Sequence, residues 1–237
     1  MRDRLNENQA LILFADTRKT SAATAALLSQ ELLTEEEKAR RFIRTEDLRD
    51  YIAARSLLRL GLSSCFEVEP AKWNFGRDER GKPFVISPTN LPPFQFSLSH
   101  TRGLVALLVS FAPEAGIDVE QMKRTNDLKL VAQRVCSRGE LEPLDQLTGE
   151  KWQQRFFQLW TLKEAYAKAR GLGLGLPLQS ISFDIESQDK VIAADRSDWQ
   201  FHLARVAPNH MLATALRRER SDAPYEFELR EFCLTSR

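Results

Sequence analysis

Near the middle of the chain, Ala112-Pro113-Glu114-Ala115-Gly116 is a turn signal that neither a helix nor a strand runs through easily. It splits the 237 residues into two stretches of near-equal length, each of domain size. In the first, 9–16, 94–98 and 104–111 read as strands, and 21–33 and 45–61 as helices. Between those helices, Thr34 followed by Glu37 is a capping-box pattern that opens a helix carrying Lys38, Arg40, Arg41 and Arg44. In the second stretch, 117–120, 180–186, 190–194, 199–206, 210–217 and 225–234 read as strands. Helices are expected over 126–135, 138–147 and 150–170, the last stopped by Gly171, Gly173 and Gly175. Helices with mostly hairpin-connected strands in both stretches argue for an α+β fold. The expected division is 1–112 and 113–237.

Charge and cysteine content remove several classes of function. Lys and Arg total 34 against 33 Asp and Glu, a net charge of +1, so no general nucleic-acid binder is expected. Cys65, Cys136 and Cys233 are far apart and odd in number, without CxxC or Cys/His spacing, which argues against a disulfide framework or structural zinc. The longest apolar run, 104–109, is too short to span a bilayer, and the N-terminal residues lack a signal-peptide core. A soluble, cytoplasmic chain is expected, with no membrane partner.

Four constellations could carry chemistry. In GIDVE, 116–120, strand alternation puts Asp118 and Glu120 on one face about 7 Å apart, a hard-oxygen pair suited to Mg2+. The alternative is a strand with its polar face in water. On the helix over 150–170, Trp152, Phe156, Leu159, Tyr166 and Ala167 form an apolar stripe, with Trp160, Glu164 and Lys168 climbing the neighbouring face. Glu164 and Lys168 are equally an ordinary i,i+4 surface pair. Arg55 falls inside the stripe Leu48, Tyr51, Ile52, Leu58, Leu62, so it either snorkels or meets an anion. The turn Gly81-Lys82-Pro83 and the loop beginning Ser99-His100 are small and polar between apolar strands. There is no GxxxxGK[ST] phosphate loop, HExxH or GxSxG, and GLGLGL at 171–176 follows a helix rather than a strand.

In order along the chain, the GKP turn, FSLSHT at 96–101, GIDVE, LWTLKEAYAKARGLGL at 159–174 and HMLATAL at 210–216 together resemble the Sfp-like 4′-phosphopantetheinyl transferase superfamily. The resemblance covers nearly the whole chain and is weakest over about the first 30 residues. It implies a larger, single-chain, monomeric enzyme of two similar halves related by pseudo-two-fold symmetry, with the active site in the cleft between them. Such an enzyme, a holo-[carrier protein] synthase, moves the 4′-phosphopantetheine arm of coenzyme A to a serine of an apo acyl, peptidyl or aryl carrier protein. The product besides the holo carrier is adenosine 3′,5′-bisphosphate. The resemblance implies Asp118, Glu120 and Glu164 as ligands of Mg2+, for which Mn2+ can substitute, and Lys168 at the leaving phosphate. It implies Lys38, Arg55, Lys82, Ser99 and His100 as coenzyme A contacts, mostly in the first half, with the metal carboxylates in the second. Glu140 lies where relatives place a glutamate proposed as the base; its Ser137 spacing is also that of a helix cap, and a metal-bound water is the rival base. Glu35 stands where some relatives carry a basic residue, a place that Arg40 or Arg41 could take. Lys123, Arg124, Lys129, Arg134 and Arg138 suggest a docking strip over 122–140 for the acidic helix of a carrier. Two rival readings are a magnesium-dependent phosphohydrolase acting on nucleotides and a carrier-binding protein without catalysis.

Overall fold

The computed structural model describes residues 5–123, 127–187, 190–193, 196–206, 209–219 and 223–235, except for the side chain of Leu174. Arg124 of the expected docking strip and Asn126, the expected start of a helix, lie outside these residues, as does Ala194, the expected end of a strand. The chain forms two compact units: residues through Phe111 together with those from Tyr225 onward, and the residues between. No described helix is long and apolar enough to cross a membrane.

The first unit runs β1 (Gln9–Asp16), α1 (Ala22–Leu32), α2 (Glu35–Lys38), α3 (Thr45–Cys65), β2 (Asn74–Arg77), β3 (Pro83–Ser87), β4 (Gln95–Thr101) and β5 (Leu104–Ser110). β5 pairs antiparallel with β1 on one side and β4 on the other. All seven residues of β5 are buried, as its unbroken apolar sequence requires. α3, of 21 residues, lays Ile52, Leu58 and Leu62 against this sheet. Leu48, expected in the same stripe, is 40% exposed, because α3 has only just begun there. α2 has the expected capping box at Thr34 and Glu37 but ends at Lys38. Arg40, Arg41 and Arg44 therefore stand in a non-helical connection rather than on a helix, and Phe42 packs on Tyr51 with ring centroids 5.0 Å apart.

The second unit runs β6 (Ala115–Gln121), α4 (Leu128–Val135), α5 (Arg138–Asp145), α6 (Gly149–Ala169), β7 (Phe183–Ile185), β8 (Val191–Ala193), β9 (Trp199–Val206) and β10 (His210–Arg217). β10 is the centre of an antiparallel sheet ordered β6-β10-β9, while β7 and β8 form a separate hairpin. α6 buries Trp152, Phe156, Leu159, Leu162 and Tyr166 in a core shared with Phe183, Trp199 and Phe201.

The last strand, β11 (Glu226–Glu231), leaves the second stretch and pairs parallel to β1, from Gln9↔Glu226 to Phe14↔Glu231. The expected division 113–237 placed it with the second half. Leu234, beyond it, enters the core of the first unit, and burial there holds the strand on the edge of β1. Nothing in its alternating glutamates says which sheet edge it covers.

Each unit has a glycine where its long helix meets its sheet. A Cβ on Gly61 of α3 would lie 2.6 Å from Leu107 Cδ2, the end of a flexible side chain. A Cβ on Gly116 of β6 would lie 2.1 Å from the Ala165 carbonyl oxygen and 2.5 Å from the Ala169 nitrogen, both backbone. Gly116→Ala must therefore push α6 off the sheet, at an expected cost of about 2 kcal/mol or more. Gly61→Ala should cost less, because Leu107 can turn aside and alanine regains about 1 kcal/mol of helix propensity. Denaturant midpoints of the two variants test this; equal losses would contradict it.

Candidate active site

Side chains two apart on a strand share a face, so Gly116, Asp118 and Glu120 all point toward α6. Along β6 from Gly116 to Glu120 the contacts on α6 run backwards: Ala165 and Ala169, then Lys168, then Trp160. The two elements are thus antiparallel, and four strand steps cover about 13 Å, as do nine helical steps. This match in rise brings each carboxylate of GIDVE to a particular residue of α6. Lys168 Nζ donates to Asp118 Oδ1 at 2.7 Å, and Trp160 Nε1 donates to Glu120 Oε1 at 3.2 Å.

Asp118 is 4% exposed, so the polar face of β6 is covered by a helix rather than open to water. Burial, with the charge of Asp118 beside it, pushes the Glu120 carboxyl up to about 7. Burial and then Asp118 also raise the Glu164 carboxyl above its ordinary range. The helix carboxylate is therefore no ordinary surface partner of Lys168: it shares a field of negative charge with both carboxylates of the strand.

Among the described residues no group of three or more His, Cys, Asp or Glu is arranged to hold a metal ion by itself. Asp118, Glu120 and Glu164 are neighbours, not a closed cage. Mg2+ does not need a cage; it binds one or two carboxylates and completes its octahedron with water and phosphate oxygens. Hard oxygens that burial and then mutual repulsion already make reluctant to ionise, with the Lys168 ammonium resting on Asp118, suit such a cation. The residues present fit Mg2+ or Mn2+.

Glu140 is 3% exposed and fully engaged. It closes the capping box of α5, its Oε2 accepting the Ser137 N–H at 2.7 Å. Its Oε1 accepts the Phe183 N–H at 2.9 Å, and Lys163 Nζ stands 2.8 Å from Oε2. Lys163 also donates to the Leu178 and Ile181 carbonyls, the first at 2.8 Å. Burial pulls this ammonium below the usual lysine range. Lys163 was missed in the sequence, although it is four residues after Leu159 and so lies in the buried stripe of α6. Glu140 lines a cavity of about 620 Å³ with Pro143, Leu147, Arg155, Leu159 and Ile192.

In the first unit, Arg55 is half-buried on α3, its guanidinium 5.2 Å from the centroid of the Tyr51 ring. Lys38, at the end of α2, pairs with Glu35 at 2.9 Å, so the acid that departs from some relatives faces the expected phosphate contact. Lys82 follows the β2–β3 turn, where Gly81 takes φ +83° and the Asp78 N–H donates to the Lys82 carbonyl at 3.0 Å. Ser99 and His100 are not in a loop. They are strand residues opposite Ala106 and Val105, because Gly103 at φ +82° lets a tight turn close after Thr101. Adjacent strand residues alternate, and Ser99 is buried while His100 is exposed, so the two do not share a face.

Asp50 of α3 was also missed. It is 7% exposed; its Oδ2 accepts the Gly103 N–H at 3.2 Å, and the Thr17 hydroxyl donates to Oδ1. One carboxylate thereby ties the helix of Arg55 to the turn that follows His100. Its sequence signal is slight: an acid beside the apolar positions Tyr51 and Ile52.

A family model described as the 4′-phosphopantetheinyl transferase superfamily matches residues 114–219, and one described as 4′-phosphopantetheinyl transferase, N-terminal, matches residues 16–112. The chain is 37% identical over 150 residues to the 4′-phosphopantetheinyl transferase HetI of Nostoc sp., covering 63% of this chain and 62% of that protein. It is 30% identical over 217 residues to a phosphopantetheinyl transferase of Thraustochytrium sp., covering 84% of this chain and 75% of that protein. With the 4′-phosphopantetheinyl transferase Sfp of Bacillus subtilis it shares 31% over 156 residues, covering 65% of this chain and 66% of that protein. The chain thus spans less than two thirds of the length of two of these three relatives.

The pKa of Glu120 has a consequence for stability. Its carboxyl sits at about 7 in the fold against 4.5 for an ordinary glutamate. Between those values the folded chain keeps a proton that the unfolded chain gives up, so stability falls as pH rises from 4.5 through about 7. Glu120→Gln should flatten that fall. The check is the denaturation midpoint against pH with chelator present, and an unchanged slope would contradict the burial of this carboxyl.

Proposed function

Because the chain belongs to the 4′-phosphopantetheinyl transferase superfamily, we propose that it moves the phosphopantetheine arm of coenzyme A onto a serine hydroxyl of an apo carrier protein, in a Mg2+-dependent reaction that releases adenosine 3′,5′-bisphosphate. The observation that carries this reading is the seating of α6 on β6, which gathers Asp118, Glu120, Glu164 and Lys168. The attack of an alcohol on a pyrophosphate phosphorus asks a protein mainly for positioning and for neutralised phosphate charge. Mg2+, or Mn2+ in its place, would supply much of that neutralisation when held among Asp118, Glu120 and Glu164 with phosphate oxygens completing its shell.

The chain's own residues do the rest. Lys168, already at a carboxylate edge, turns its ammonium to the leaving phosphate and balances the charge that builds there. Trp160 holds Glu120 by its indole N–H, so that carboxylate keeps its place against repulsion from Asp118. Lys38, Arg55, Lys82, Ser99 and His100 are proposed to grip coenzyme A. Since Ser99 and His100 are on opposite faces of β4, one of them meets the ligand by its side chain and the other supports it from behind.

The hydroxyl proton needs an acceptor, and Glu140, paired with Lys163 and lining the cavity, is the proposed one. Its three existing partners mean that it must exchange one of them to act. The carrier is proposed to dock along 122–140. Lys129, Arg134 and Arg138 are exposed there, with Leu130 59% exposed among them, a basic surface with an apolar centre that fits an acidic amphipathic helix.

The direct test is the mass of several apo carriers after incubation with coenzyme A and Mg2+. One phosphopantetheine gained supports the reading; turnover of a simple nucleotide pyrophosphate without any carrier would replace it by hydrolysis. Asp118→Asn and Glu164→Gln should each reduce transfer at least a hundredfold while the fold survives, because their removal relieves repulsion. Transfer undiminished in excess chelator would sink the metal.

The docking surface has its own test. Reversing Lys129, Arg134 and Arg138 to Glu should raise KM for the carrier on the order of tenfold and leave that for coenzyme A nearly unchanged, with the difference shrinking as salt shortens the Debye length. An unchanged carrier KM would place docking elsewhere.

A further inference from the structure

Glu37 stands among the cations of the first unit, where a carboxylate is electrostatically out of place. Its Oε2 accepts the Thr34 N–H at 3.0 Å and so closes the capping box of α2. The same oxygen accepts from Arg59 Nη2 at 2.9 Å. Its Oε1 faces Arg59 Nη1 at 3.4 Å and Arg55 Nε at 3.5 Å. Arg59 is 2% exposed, and Glu37 and Arg55 are 17% exposed each. Arg59 lies 5.4 Å from the centroid of the Phe75 ring, and Arg55 lies 5.2 Å from that of Tyr51, which Arg40 approaches at the same distance. One carboxylate therefore joins the start of α2, a buried guanidinium and the guanidinium expected to meet a phosphate.

By Coulomb's law alone, a negative charge at this place weakens the attraction of any phosphate to Arg55 and Lys38. Arg59 cancels it: the Glu37–Arg59 pair is neutral, its buried guanidinium 2.9 Å from the half-buried carboxylate. What remains is geometry. A guanidinium on a long side chain loses much rotamer freedom on binding, and one that is already held loses less.

We propose that Glu37 and Arg59 form a neutral brace, in which Glu37 is a positioning residue that orients Arg55 for a phosphate of coenzyme A. The brace rests on the reading of Arg55 as a coenzyme A contact. Both Nη groups of Arg59 donate to the Glu37 carboxylate, so Arg59 acts through Glu37.

The experiment measures coenzyme A affinity by calorimetry for the intact chain, Glu37→Gln, Arg55→Ala and the double variant, with folding checked by circular dichroism. Glutamine keeps the size and an acceptor but loses the charge. The brace predicts that Glu37→Gln weakens coenzyme A on the order of tenfold, about what loss of one partly buried charge contact costs. It predicts no further weakening when Arg55 is already alanine. A pure charge effect has the opposite sign, so tighter or unchanged binding by Glu37→Gln overturns the brace, as does the same fold-loss in both backgrounds. Arg59→Lys, which keeps the charge but lacks the fork, should weaken binding similarly and tests the brace if Glu37→Gln does not fold; wild-type affinity in that variant counts against it. Arg55→Ala that binds as tightly as the intact chain overturns the reading of Arg55 itself, and the brace with it. That result differs from failure of the brace alone, in which Arg55→Ala is weak and Glu37→Gln is not.

Discussion

At Gly116 the backbone of β6 comes so near the backbone of α6 that the Ala165 carbonyl would sit 2.1 Å from any Cβ placed there. This contact sets the height of the helix over the strand, and the rest of the site follows from it. With Ala165 and Ala169 seated on Gly116, Lys168 reaches Asp118 and Trp160 reaches Glu120. A helix raised by the width of a methyl group would leave the carboxylates with more water and less of one another. Their raised pKa values are thus a result of packing as much as of charge.

The second unit uses its two buried ionic arrangements differently. Around Lys163 the ammonium meets the Leu178 and Ile181 carbonyls, the Glu140 carboxylate and the face of Phe183, and the pair is closed off from water. It joins α5, α6 and the segment leading into β7, and breaking it would strand a buried charge. Around Asp118 the balance is left open: carboxylates face one another with the Lys168 ammonium at hand. Such an arrangement is poor for stability and good for taking a cation with its phosphate, as is common where function needs charge held ready.

The first unit holds its cations beside acids of its own, Lys38 beside Glu35 and Arg55 beside Glu37. Asp50 ties α3 to the β4–β5 turn, and Glu37 ties α3 to α2. Both acids spend their charge on structure, and both act from within the helix or turn that adjoins the cations. Arg55 is therefore held by packing on Tyr51 and by Glu37 rather than left to find its place in solvent.

Much was legible in the sequence because it is local. Capping boxes at Thr34 and Ser137, the turn at 112–116, the apolar run of β5 and the stripe of α6 are each dictated by residues within a few positions of one another. GIDVE and WTLKEAYAK were recognisable as candidate chemistry for the same reason, their spacing being that of a strand and of a helix. Tertiary structure alone decided what those periodicities leave open. It paired β11 with β1, since an edge strand of alternating glutamates accepts any edge that buries its neighbours Tyr225 and Leu234. It stopped α2 at Lys38 and put Ser99 and His100 on opposite faces of a strand. It turned Asp50, Arg59 and Lys163 from apparent surface charges into buried ties, because a charge is buried only when a partner distant in sequence arrives to meet it. Local pattern fixes which face a side chain is on; the long-range approach of one backbone to another, as at Gly116, fixes what it meets there.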